Sequence, residues 1–95
     1  MEYKQILFSG HAVRQMFGRG IQTADVLAVI KNGRIIIEYP NDNPYPSCLM
    51  LGFVNCVPLH VVFAVDGESQ TGIVVTAYIP DIRLWSDDFG SRRIL

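Results

Sequence analysis

Histidine and cysteine occur only twice each in these 95 residues, tryptophan once, and charged side chains make up just 18% of the chain. Each scarcity excludes something. Cys48 and Cys56 lack C-x-x-C spacing, and His11 and His60 lack H-x-x-x-H spacing, so no metal site and no zinc is expected. Residues 1–5 lack the basic-then-apolar layout of a secretion signal, which favours a cytoplasmic protein whose cysteines stay reduced. Cys48 then reads as a packing residue and Cys56 as a turn residue. No apolar run approaches the roughly 20 residues needed to cross a bilayer, so no membrane is expected. Gly18 and Gly20 fit neither the dinucleotide nor the Walker pattern, and no serine sits in a nucleophile elbow; no cofactor is expected. The net charge of −1 argues against non-specific nucleic-acid binding, so no DNA is expected as a partner.

Positive charge is also missing from the middle of the chain. Between Ile35 and Ile82 there is no Lys or Arg, while Glu38, Asp42, Asp66, Glu68 and Asp81 lie there. An anion site must therefore draw its cations from the N-terminal third (Lys4, Arg14, Arg19, Lys31, Arg34) or from Arg83, Arg92 and Arg93.

An apolar fraction of 49% supports one α+β domain over 1–95 with a real core. After a short apolar lead, Ile6–Phe8, Ser9 caps a first helix that stops at Gly18–Gly20. With about 3.6 residues per turn, Ala12, Val13, Met16 and Phe17 share its apolar face. His11, Arg14, Gln15 and Arg19 take the polar one. Thr23 caps a second helix, with Asp25 in its first turn, Val26, Leu27, Val29 and Ile30 as its stripe, and Asn32-Gly33 as its stop. Four strands follow at Arg34–Tyr39, Ser47–Val54, Leu59–Val65 and Ile73–Tyr78, the last three as an antiparallel meander. The expectation is two helices on a four-stranded, mainly antiparallel sheet, with the tail around Trp85 and Phe89 folded back.

Pairing Val65 with Ile73 across their loop sets His60 opposite Tyr78 and Val62 opposite Thr76. Leu59, Val61, Phe63 and Val65 then meet Ile73, Val75, Ala77 and Ile79 on the face under the helices. His60, Thr76 and Tyr78 share the other face with Leu49, Leu51, Phe53 and Val62, which needs cover from the tail or a partner. His60 suits acid–base chemistry without a metal; equally, it suits a histidine that packs its ring and satisfies one nitrogen. His11 and Arg14, three residues apart on a helix, form either a proton-transfer group beside an anion clamp or an ordinary solvated face. Arg19 is a second clamp or a helix-terminal cation. Tyr39 and Tyr45 flank the loop 41–46, where they stack on a base or simply pack.

The order His11-Ala-x-x-Arg14-x-Met16-x-x-Arg19-Gly-Ile21, Asn32-Gly33, Glu38-Tyr-Pro40, Pro44-Tyr-Pro-Ser47, Pro58-Leu-His60 and Val75-Thr76-Ala-Tyr78-x-Pro80-Asp81 resembles a family of short bacterial proteins known as a domain of unknown function. That family is similar to RelE-like and BrnT-like toxins, within a wider group of small metal-independent ribonucleases that includes barnase and colicin relatives. The resemblance implies a RelE/barnase-like fold, RNA as substrate and a cognate antitoxin protein as partner. It also implies an endoribonuclease that works by 2′-hydroxyl attack, with His60 and His11 as acid–base groups. Tyr78 and Thr76 would orient the histidine, and Arg14 and Arg19 would hold the substrate. The alternative is a non-enzymatic protein-binding module that uses the exposed sheet face.

Overall fold

The computed structural model describes residues 3–94 and places two helices on one face of a five-stranded sheet. In chain order the elements are β1 (Gln5–Phe8), α1 (Gly10–Arg19), α2 (Thr23–Asn32), β2 (Arg34–Tyr39), β3 (Ser47–Val54), β4 (Val57–Asp66) and β5 (Thr71–Tyr78). The sheet order is β1-β5-β4-β3-β2, antiparallel throughout except that β1 runs parallel to β5. The expected four strands become five because the apolar lead is itself an edge strand. Only Ile6 and Phe8 of that four-residue segment pack on the core, too short a stretch to show alternation.

Both helices start and stop for local reasons. The Ser9 hydroxyl accepts from Ala12 N–H at 3.0 Å at the start of α1. Gly20 closes the helix with φ 69°, and Ile21 N–H reaches back to Met16 O at 2.9 Å, the Schellman arrangement. The cap of α2 is Gln22 rather than the expected Thr23; its N–H donates to the Asp25 carboxylate at 3.4 Å. Gly33 ends α2 where the chain passes so close to β3 that a Cβ would meet Val29 O and Leu51 O at 2.5 and 2.6 Å.

Ala12, Met16, Val26, Val29 and Ile30 pack on Cys48, Met50, Leu59, Val61, Phe63, Val74 and Ala77. Val13 and Phe17, expected in that layer, instead face solvent, and Leu27 is also exposed. The apolar stripe of α1 is wider than the strip of sheet beneath it, so only its Ala12–Met16 edge is buried.

The β4–β5 register is correct at its far end and shifted near the turn. His60 pairs with Tyr78 and Val62 with Thr76, as expected, but Val65 pairs with Gly72, not Ile73. An extra residue on β5, Val75, makes a bulge between these two zones. Val74 therefore takes the core position assigned to Val75, Ile73 moves to the opposite face with Ala64, and Ile79 is left exposed beyond the strand. The Ser9 hydroxyl donates to the Val75 carbonyl at 3.1 Å.

Candidate functional site

The sheet face away from the helices is roofed in part by the chain after Pro80. Residues 81–94 fold on themselves through a Trp85–Arg92 bridge, a Ser86 N–H to Ser91 O bond at 2.8 Å, and Arg93, which donates to Ile82 O and pairs with Asp87. Arg92 lies over the Trp85 indole, 5.4 Å from its centroid. This small fold covers Leu51 and His60, and Trp85 is itself buried. The Trp85 ring meets the His60 ring edge-on at 4.4 Å.

His60 has no exposed surface, so both ring nitrogens need partners inside the protein. Nε2 lies 2.9 Å from the Phe89 carbonyl, and Nδ1 lies 3.3 Å from the Tyr78 hydroxyl. A carbonyl can only accept, so Nε2 carries the proton and Nδ1 is left to accept from Tyr78. Burial holds His60 below the ordinary histidine range, although the bond to Phe89 opposes it. The ring is therefore neutral at pH 7. Phe89 adopts φ 61°, a left-handed conformation that costs a non-glycine residue free energy, and it presents its carbonyl to the histidine from there.

Tyr78 is the half-buried outer end of this chain of hydrogen bonds. Burial raises its phenol above the ordinary value and the Tyr39 phenol adds to that, while Arg92 and Arg19 pull it down. Its proton is thus in place to donate at neutral pH. Arg19 donates to the Ala77 carbonyl at 2.7 Å, across the part of the β5 edge that β1 leaves unpaired. One guanidinium nitrogen is used there, at the residue before Tyr78 in β5. Thr76 sits two residues before Tyr78 on the same face, half-buried.

The six expected site residues do not all meet. His60, Tyr78 and Thr76 share one sheet face, and Arg19 reaches its edge. His11 and Arg14 are exposed on α1, which packs against the other face. The Arg14 guanidinium curls back toward Gly10 at the helix start. Tyr39 stays exposed beside an open hollow formed with Val62, Pro40 and Asn41. Tyr45 instead lies near Asp66, whose charge raises its phenol pKa. The sequence offered the tail around Trp85 and Phe89 as one of two covers for this face and Arg92 as one of several cations for an anion site, but it did not show the Phe89 carbonyl. A backbone acceptor has no residue signature; the uncovered apolar face was the usable signal.

Among the described residues no group of three His, Cys, Asp or Glu side chains is placed to hold a metal ion, and no helix is long and apolar enough to cross a membrane. Cys48 is buried in the core and Cys56 is exposed at the β3–β4 turn. The family model described as a domain of unknown function, DUF4258, matches residues 8–79. No curated protein and no solved structure matches the chain.

Proposed function

The chain belongs to DUF4258, a family without an assigned activity, and on the arrangement around Tyr78 we propose that it is a metal-independent endoribonuclease of the toxin type. The observation that carries this reading is the line Tyr78 hydroxyl, His60 Nδ1, His60 Nε2–H, Phe89 carbonyl, with Arg19 and Arg92 acting on its outer end. A base oriented by a third group, with a hydroxyl in front of it, is the layout that proton transfer needs.

In this reading the buried histidine never touches RNA. The ribose 2′-hydroxyl attacks the adjacent phosphorus and gives its proton to the Tyr78 oxygen. Tyr78 passes its own proton to His60 Nδ1 in the same step, so no free phenolate forms. The bond from phosphorus to the 5′-oxygen breaks and water protonates that oxygen; the hydroxide so formed takes the proton back from His60 by way of Tyr78, restoring the neutral ring, and a 2′,3′-cyclic phosphate remains. Arg19 and Arg92 stabilise the charge on the phosphoryl oxygens. Thr76 contacts the substrate beside Tyr78. His11 and Arg14, on the outer helix, hold a neighbouring stretch of the RNA backbone rather than the scissile phosphate. The kinship to RelE-like and BrnT-like toxins, and an antitoxin as partner, belong to the same proposal. The sheet-face binding module draws less support, because Leu49 and Leu51 are already buried without any partner.

The test is cleavage of single-stranded RNA by purified protein in the presence of a chelator. Wild type should yield 2′,3′-cyclic phosphate ends, and Tyr78→Phe should cleave on the order of a hundredfold more slowly or worse. Because the change leaves the buried Nδ1 of His60 without its donor, at a cost of about 1–3 kcal/mol, both proteins are assayed well below the melting temperature of the variant. Equal rates for wild type and Tyr78→Phe, or no cleavage by either, would remove the relay and the activity with it.

A further inference from the structure

We propose that the open hollow beside Tyr39 seats one nucleobase of the RNA strand, a base that carries an amino group. The inference rests on the cleavage reading for its ligand and adds a part of the substrate that the Tyr78 centre does not touch. The hollow measures about 640 Å³, within the range of roughly 300–1,000 Å³ usual for ligand sites. Glu38, Tyr39, Pro40, Asn41, Asp42 and Val62 line it. Val62 is two residues from His60 and pairs with Thr76, so the hollow adjoins the Tyr78 centre on the same sheet face. Two residues of strand span about 7 Å. A base seated here therefore belongs to a nucleotide next to the attacked phosphate. The Tyr39 phenol is also near enough to act on the Tyr78 phenol.

The lining disfavours a phosphate and suits a base. Its two charged residues, Glu38 and Asp42, are both acidic, and no Lys or Arg lies between Ile35 and Ile82. Tyr39 is 39% exposed, which leaves ring surface bare for a base to stack on. The rim holds its shape without a ligand. Asp42 N–H closes a turn onto Tyr39 O at 3.2 Å, and the Asp42 carboxylate accepts from Asn43 N–H at 3.1 Å and from the Ser47 hydroxyl at 2.6 Å. A carboxylate offers about four acceptor positions, so some remain open, and it has nothing to donate. Guanine, adenine and cytosine each bring an amino donor to such a rim. Uracil brings carbonyl oxygens on both sides of its one N–H, and the rim disfavours it.

The experiment measures binding of short labelled 2′-deoxy strands, which lack the attacking hydroxyl and stay intact. One strand is all deoxyuridine; the others carry a single deoxyguanosine, deoxyadenosine or deoxycytidine. An amino base should tighten binding about tenfold over the all-deoxyuridine strand. Tyr39→Ala should lose about tenfold on the strands with an amino base, whereas Tyr39→Phe keeps the stacking ring and the affinity. Asp42→Asn, whose amide can donate to uracil, should bring the all-deoxyuridine strand level with the others. Should Tyr39→Ala fail to fold, the base preference of wild type against Asp42→Asn decides. Equal binding of all strands, no binding at all, or affinity unchanged in a folded Tyr39→Ala would overturn the proposal. Selective, Tyr39-dependent binding by a protein that leaves RNA intact would sink the cleavage reading and keep the hollow. Cleavage indifferent to base identity and to Tyr39→Ala would do the reverse.

Discussion

A neutral imidazole with no exposed surface can take up a proton only by placing charge inside the protein, and His60 is in that position. Its folded pKa lies below the unfolded value, so in acid the unfolded chain binds a proton that the folded chain resists. The contribution of His60 to stability is complete above about pH 6.5, the unfolded value, and is lost as pH falls below it toward the folded pKa. Melting temperature should therefore drop between about pH 6.5 and pH 5. The lowered carboxyls Asp81, held at about 2, and Asp66 and Asp88 act in a lower window. Trp85, the one tryptophan in the chain, touches the His60 ring, so its emission reports whether the tail stays docked. His60→Gln keeps an N–H for the Phe89 carbonyl and removes the titration. Its melts should be flat across this window, and identical slopes in wild type and variant would mean that another group is linked.

At the level of elements, the bulge in β5 decides which valine is core. Val74 is fully buried and Val75 is 37% exposed, so Val74→Asp should unfold the protein at a cost of several kcal/mol. Val75→Asp should cost about 1 kcal/mol or less. Circular dichroism melts of both variants check this, and the reverse order would place the bulge elsewhere. Alternation alone assigned Val75 to the core, because a bulge is one extra residue with no composition of its own. The boundaries of β2 and β3 were readable, since Gly33, Pro40, Pro46 and Asn55 punctuate both ends. The His60–Tyr78 pairing was readable too, because it lies on the far side of the bulge, where parity counted from the turn happened to be restored. Strand β1 and the true buried edge of α1 were not. Both depend on how far the neighbouring layer extends, which a helical wheel does not contain.

Over the whole molecule, the cation-free middle of the chain becomes β3, β4, β5 and all of β2 after Arg34, and the cations come from the elements before and after it. Arg19 arrives from α1 and Arg92 from the tail, and the charge of each lowers the Tyr78 pKa although the sequence separates them widely. Their joint field was hidden from the sequence because it forms only when the tail folds over β5. It also carries a quantitative consequence for the proposed substrate. Each phosphate of a single strand neutralised by a cation contributes about −0.7 to the slope of log affinity against log salt. With the net charge at −1, general attraction adds little, so the slope should reflect a few specific contacts. Arg92→Ala should make the slope shallower by about 0.7, with binding measured on a short non-cleavable 2′-deoxy strand. Arg83 is engaged by Asp81, so Arg83→Ala should leave the slope unchanged. Because Arg92 also lies over Trp85, tail docking must be checked in the same variant by tryptophan emission. A docked tail with an unaltered salt slope would mean that Arg92 serves Trp85 alone, leaving Arg19 as the single clamp at Tyr78.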